Sequence, residues 1–277
     1  MTLDSRLTPA RADLAAAHLR GHVEAARFVE PYPARIIQPS VALRRRPEAA
    51  GSWETQALCG EAVAVYEARD GWAWVQLEHD GYVGYLESAA LGPPEATTHR
   101  VSALRTHAYP GPSMKLPHVF ALSMGAEVQV VGESGDFLVD AQGRHFWARH
   151  LVSSATREAD FVAVAERFEH CPYLWGGRTS EGIDCSGLVQ TALRAAGVEA
   201  PRDSDMQEKR GTALPESSGL RRGDLVFWTG HVGLMRDATT LLHANGYHMA
   251  VVSEPLARAQ TRIAASGGGQ ITAIRRL

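Results

Sequence analysis

The sequence predicts an α+β protein in which two small all-β barrels precede a compact domain that lays helices ahead of an antiparallel sheet. Three observations predict it. Between about residues 35 and 153 the chain is a series of short β-rich runs punctuated by Gly and Pro, such as "EAVAVYEARDGWAWVQLEHDGYVGYL". That stretch holds a diverged repeat of about 55 residues, because "VALRRRP" is answered by "SALRTHAYP", and Gly60 ahead of Trp72 is answered by Gly125 ahead of Phe137. After Ser154 the apolar spacing turns helical for two segments and then returns to strand-like runs.

Taken in order, residues 1–30 form an N-terminal arm, either packed on the body or coiled into a short helix through Leu14, Ala17, Leu19 and Val23. Residues 31–92 and 97–154 are the two barrels, each closed by an aromatic strand ("YVGYL", "RHFWARHL"), with "LGPPEATTH" as the linker. From 155 to 277, "READFVAVAERFEHC" carries Phe161, Val164, Ala165 and Phe168 at helical spacing, and Pro172 and two glycines in "CPYLWGG" stop it. "CSGLVQTALRAAG" reads as a second helix ending at Gly197, with Pro201 beyond. The runs "GDLVFW", "HVGLM", "TLLHANG", "MAVVS" and "ITAIRRL" read as strands, and "EPLARAQTRI" as a helix between the last two.

Bulk properties exclude several functions. A net charge of −3 over 277 residues supplies no basic field for nucleic acid or an anionic membrane. No stretch reaches the about 18 uninterrupted apolar residues of a membrane span, and the charge-spaced start lacks a secretory apolar core, so the expected location is the cytoplasm. Three cysteines, Cys59, Cys171 and Cys185, with no CxxC pair signal neither a disulfide framework nor a closed zinc site. No cofactor and no metal are expected, and the oligomeric state is left open.

The chemistry centres on "EGIDCSGLVQ". Cys185 stands at the start of a helix, where orphan N–H groups and the dipole favour an anion, so its pKa is expected below the free value of about 8.5. His231 in "HVGLM" and His243 in "TLLHANG" lie in apolar strand runs where an imidazole is costly without a task. If the two strands are neighbours, both rings reach one side. Thiolate, proton-accepting imidazole and orienting group make the minimum set for cysteine acyl transfer. The competing readings are a buried structural cysteine with core histidines, and an open zinc site from the same three residues, which no HExxH or CxxC supports. Cys171, ahead of Pro172 at a helix end, reads as structural.

"DCSGLVQTAL", preceded by "YLWGG" and followed in order by "GDLVFW", "HVGLM" and "LLHANG", resembles the catalytic domain of the NlpC-type cell-wall cysteine peptidases, a papain-like family, over about residues 150–277. The barrels resemble bacterial SH3-like barrels, the first closely and the second in outline, since Phe137 stands where a Trp is usual. The resemblance implies Cys185 as nucleophile, His231 as general base and then acid, and His243 as the residue orienting His231. "YLWGG", "DCS" and "PRDSDMQ" further resemble the γ-D-glutamyl-L-diamino acid endopeptidase branch, which cuts peptidoglycan stem peptides with a free N-terminal L-Ala. That implies Tyr173, Asp184, Ser186, Arg202 and Ser204 as substrate contacts, joined from the first barrel by Tyr82 and by either Glu61 or Glu54. Asp184 would pair with the substrate amine, and Ser186, Ser204 and Arg202 would donate to the D-glutamate carboxylate. The implied substrate is a peptidoglycan-derived tri- or tetrapeptide in murein peptide recycling. A cell-wall-fragment or protein-binding module with a silent peptidase domain, and a thiol amidase or acyltransferase on another small amide, are the alternatives.

Overall fold

Alternating residues such as those of "AVAVYEAR" put one face of each strand into a core and leave the other for solvent or a neighbour. In the computed structural model, which describes residues 3–215 and 218–277, this pattern builds the first of two units that divide between Ala155 and Thr156. The first barrel consists of β1 (Tyr32–Ile36), β2 (Ser40–Arg44), β3 (Trp53–Leu58), β4 (Ala62–Arg69), β5 (Trp72–Leu77), β6 (Val83–Glu87) and β7 (Leu91–Gly92). They form one sheet in the order β3-β2-β6-β5-β4-β1-β7. Val41, Leu43, Val63, Val65, Val75, Leu77 and Leu86 fill its core. The β4–β5 hairpin turns on Asp70 and Gly71, at φ of 53° and 81°. Two consecutive positive values are what a two-residue hairpin loop requires, and the Asp-Gly pair is suited to them.

The second barrel is built from shorter pieces: β8 (His99–Val101), β9 (Arg105–Ala108), β10 (Phe120–Ser123), β11 (Glu127–Val128), β12 (Val130–Ser134), β13 (Phe137–Asp140), β14 (His145–Trp147) and β15 (Leu151–Ser153). They make three small sheets, β11-β8-β15, β9-β10 and β12-β13-β14, around Val101, Leu122, Phe146 and Leu151. Leu58 from the end of β3 belongs to this second core, so the two barrels are joined by apolar packing. The backbones also meet, because Glu127 N–H donates to Cys59 O at 2.7 Å. Gly60 makes that approach feasible: its φ is +82°, and a Cβ there would lie 2.3 Å from Glu127 O.

The helix option for the N-terminal arm is not realised. Among the described residues of the arm only Ala17–Leu19 forms a 3-10 turn, and Ala15–Ala16 pairs in parallel with Phe28–Val29. Leu14 and Ala16 pack on Tyr66 and Trp74, Arg11 lies over the Trp74 ring at 4.3 Å and meets Glu67 at 2.6 Å, and Val83 N–H donates to Arg6 O at 2.7 Å. An extended arm reaches all of these partners, whereas helical spacing there was weak and cheaply overridden.

The second unit begins with α1 (Phe161–Glu166), capped by Asp160 accepting from Val162 and Ala163 N–H. A small hairpin, β16 (Arg178–Thr179) and β17 (Gly182–Ile183), leads into α2 (Cys185–Ala195), and a single turn, α3 (Ser204–Gln207), follows. The sheet contains β18 (Thr212–Ala213), β19 (Leu225–Trp228), β20 (His231–Met235), β21 (Thr240–Asn245), β22 (Ala250–Pro255) and β23 (Ala273–Arg276), with α4 (Leu256–Ala265) before the last strand. Its order is β18-β23-β19-β20-β21-β22. α2 buries Leu188, Val189, Ala192 and Leu193. α4 packs Leu256, Ala259 and Ile263 on Val226, Trp228, Met235 and Leu241.

Two glycine substitutions separate conformational strain from steric contact. Gly71, at φ +81° with open space around it, should lose about 1–2 kcal/mol on replacement by Ala from left-handed strain alone. Gly60→Ala carries the same strain plus a collision with a peptide carbonyl, and should lose about 3 kcal/mol. Equal losses in urea denaturation would show that the Gly60–Glu127 contact yields without cost.

Candidate active site

The thiol is placed by the residue before it. Asp184 is the N-cap of α2, with extended backbone angles and Oδ1 accepting from Gly187 N–H at 2.7 Å, which satisfies one of the helix's orphan donors. Its Oδ2 accepts from Gly176 N–H at 2.8 Å. The start of α2 is therefore pressed onto the loop written "YLWGG". A Cβ on Gly187 would lie 2.4 Å from Gly177 O, so the glycine after "DCS" is a packing requirement.

The same carboxylate takes both ends of the Arg202 guanidinium, at 2.9 Å from Nη1 to Oδ1 and 2.6 Å from Nη2 to Oδ2. Arg202 Nη1 also donates to Ser186 Oγ at 2.8 Å, and Gln207 Nε2 donates to Ser186 O and Pro201 O, each at 2.9 Å. Arg202 and Asp184 are buried. The two side chains expected to meet opposite ends of a substrate thus stand as an internal pair. The physical reason is that neither charge is tolerated in the interior alone. Ser204 is the first residue of α3, half-buried. Tyr173 bridges to Ile183, and burial, then the neighbouring Cys185 and Asp184, push its phenol up, so it stays protonated beside the sulfur.

Cys185 is 8% exposed. The backbone N–H groups of Val232 and Ser186 are directed at its sulfur, yet burial, followed by the Asp184 charge, pushes the thiol up to about 12. The expectation of a lowered pKa is reversed: helix-terminal donors are present, but loss of solvation outweighs them. Val232 follows His231 in β20, the strand that carries the imidazole. His231 Nε2 lies 2.8 Å from His243 Nδ1, and His243 Nε2 lies 2.9 Å from Glu254 Oε1. Burial, then His243, holds His231 down at about 3, and burial lowers His243 as well. The hydrogen bond from His243 and then Arg262 hold Glu254 down at about 2. Thiol and imidazole are therefore both neutral at rest.

Glu254 and Arg262 are absent from the reading of the sequence. In the β21–β22 register His243 faces Val252 and Leu241 faces Glu254, so Glu254 is the diagonal neighbour of His243 on the same face. Nothing in "MAVVSEP" marks this before the register is known. Among the described residues no cluster of three or more His, Cys, Asp or Glu side chains is arranged to hold a metal ion, and Cys59, Cys171 and Cys185 are buried and outside any disulfide. The barrel residues sit within the first unit. Tyr82 is buried with its hydroxyl 3.5 Å from Glu54 Oε2, and Glu54 pairs with Arg45 at 3.2 Å. Glu61 turns inward, accepts Leu58 N–H at 2.9 Å and faces His79 Nε2 at 3.5 Å.

Residues 43–91 match the bacterial dipeptidyl-peptidase SH3 domain and residues 170–263 match the NlpC/P60 family. A γ-D-glutamyl-L-lysine dipeptidyl-peptidase of Bacillus subtilis is 27% identical over 213 residues, 69% of this chain and 72% of that protein. The enzyme of the same description from Bacillus cereus is 24% identical over 212 residues, 66% of this chain and 62% of its own, so this chain spans less than two thirds of that relative. A murein DD-endopeptidase/murein LD-carboxypeptidase of Escherichia coli is 31% identical over 139 residues, 48% of this chain and 72% of that protein. In fold, the chain resembles the crystal structure of an NlpC/P60 family protein from Bacillus cereus, with a TM-score of 0.74 at 20% identity, covering 88% of this chain and 99% of that one.

Two outcomes follow from this geometry. Arg202→Ala leaves the Asp184 carboxylate buried and unpaired, and should cost about 3–5 kcal/mol in chemical denaturation; a loss below about 1 kcal/mol would mean that water replaces the guanidinium. For Cys185, the ionised fraction grows tenfold per pH unit below the thiol pKa. Iodoacetamide labelling at Cys185, followed by peptide mass mapping, should therefore keep rising from about pH 6 to 9. A plateau below about pH 7 would reveal a preformed thiolate.

Proposed function

Because the chain belongs to the NlpC/P60 family of cysteine peptidases, we propose that it hydrolyses the γ-D-glutamyl bond to the diamino acid of peptidoglycan stem peptides that carry a free N-terminal L-Ala. The observation that carries this reading is a helix-start thiol that takes a backbone N–H from Val232, on the strand that bears His231 and its contact to His243, in a chain that aligns with the two Bacillus dipeptidyl-peptidases over about two thirds of its length. A dipeptidyl-peptidase needs a free amino terminus. Its substrates are thus peptides already released from the glycan, and the fitting role is stem-peptide recycling.

In the proposed mechanism Cys185 Sγ attacks the γ-carbonyl carbon as its proton passes to His231 Nδ1. Since the resting pair is neutral, the proton moves with the attack and not before it, as in general-base catalysis. The oxyanion meets the Cys185 backbone N–H, which at the first position of α2 has no intrahelical acceptor. One such donor is worth about 10²–10³ in rate. His231 then gives its proton to the departing amine, the Cys185 thioester remains, and a water that loses its proton to His231 hydrolyses it and returns the thiol. For the D-glutamate carboxylate the proposed donors are the hydroxyls of Ser186 and Ser204. Ser186 Oγ accepts from Arg202 at 2.8 Å and donates to Asp184 Oδ1 at 3.4 Å, a long contact that it would exchange for the substrate carboxylate, with Arg202 and Asp184 acting behind it. Tyr173 supplies a protonated phenol next to the sulfur.

Incubation with L-Ala-γ-D-Glu-L-Lys and with its diaminopimelate counterpart, followed by mass spectrometry, should show L-Ala-γ-D-Glu released from one or both. Cys185→Ala should reduce the rate by at least about a thousandfold, Cys59→Ala should retain it, and acetylation of the L-Ala amine should abolish cleavage. Equal turnover of capped and free peptide, or cleavage confined to D-Ala-containing cross-links, would overturn the assignment.

A further inference from the structure

Glu254 ends a chain of three hydrogen-bonded groups whose protonation it dictates. Its side chain is 14% exposed, with the Arg262 guanidinium on the same Oε1 that receives His243, and Arg262 lies 4.6 Å above the Tyr247 ring. An ionised carboxylate can only accept hydrogen bonds. His243 must therefore carry its hydrogen on Nε2. Fully buried and neutral, it has no second N–H, so its Nδ1 offers a lone pair, and the 2.8 Å contact with His231 Nε2 is an N–H donated by His231. His231 is neutral too, which leaves its Nδ1 without a hydrogen.

The opposite chain is the alternative. With His243 protonated on Nδ1, His231 Nε2 would accept, and His231 Nδ1 would then carry a hydrogen and could not take one from the thiol. An isolated imidazole pair has little reason to prefer either arrangement; the carboxylate decides between them. Arg262 completes the device by holding Glu254 ionised, so that the carboxylate does not itself take the His243 proton. We propose that Glu254, secured by Arg262, is a positioning residue that fixes the tautomers of His243 and His231 and so keeps the Nδ1 lone pair of His231 available to Cys185. Its effect on rate rests on the peptidase reading above, while the tautomers themselves do not.

The charges around the relay set the direction of the pH effect. His231 meets the Trp228 ring at 5.7 Å, His243, and the charges of Glu254 and Arg262. His243 meets Glu254, Arg262 and His248. Of these, Glu254 alone raises the imidazoles, so its removal moves them to lower pKa.

The test is long-range proton–nitrogen correlation spectroscopy on the uniformly ¹⁵N-labelled full chain. In the wild type both His231 and His243 should appear as the Nε2–H tautomer. In Glu254→Gln, whose amide can donate as well as accept, the His243 signal should become mixed or inverted. With a stem tripeptide, kcat of that variant should fall about 10–100-fold at little-changed KM, its acid limb of kcat/KM should move to lower pH, and Glu254→Asp should restore most of both. A wild-type Nδ1–H signal at His231, or unchanged tautomers and pH profile in Glu254→Gln, would overturn the inference. The wild-type spectrum decides without substrate, so failure of the peptide assignment and failure of the tautomer assignment are read separately, and a variant that does not fold leaves the test standing.

Discussion

The contact between Asp184 and Arg202 is the joint on which the catalytic unit turns. One carboxylate caps α2 through Gly187 N–H, draws in the loop at Gly176 and receives both ends of the guanidinium. Through Arg202 it reaches Ser186 Oγ, and Gln207 ties the same segment to Pro201. Three separate stretches of the chain, at Gly176, Gly187 and Arg202, thereby converge on the residue before the thiol. A buried ion pair recovers little net free energy once desolvation is counted. Its value lies in geometry, because α2 can start only where the capping carboxylate stands, and Cys185 is the first residue of that helix.

Burial governs the reactive groups from the other side. The sulfur receives backbone donors from Val232 and Ser186, the arrangement that stabilises a thiolate in a more open site, yet it is so enclosed that the neutral form prevails. The same enclosure keeps His231 neutral. Two groups that each resist charge can still exchange a proton when the charge appears on both at once and the developing oxyanion has its own donor. Enclosure also excludes competing ionised forms, and this makes the hydrogen-bond order along His231, His243 and Glu254 a decisive property of the site. In a solvated site the tautomers would interconvert through water, and a remote carboxylate would matter less.

The first unit follows simpler rules. Its barrels are specified by alternation and by turn residues, and they share a core through Leu58 and a backbone contact at Gly60. The N-terminal arm is the exception, since its extended course is set by the Trp74 and Tyr66 rings and the Glu67 carboxylate beneath it.

Local chemistry was legible in the sequence. The helix beginning at Cys185 and the strands carrying His231 and His243 each depend on residues within a few positions of one another, where backbone preference and periodicity decide the outcome. Pairings across the fold were not legible. Arg202 as the partner of Asp184 depends on how a loop returns to a helix start, Glu254 as the partner of His243 depends on the β21–β22 register, and the raised thiol pKa depends on how much protein surrounds the sulfur. A chain's local preferences are short-ranged, whereas desolvation and buried charge pairing are set by everything within several ångströms in space, and only the tertiary structure says what that is.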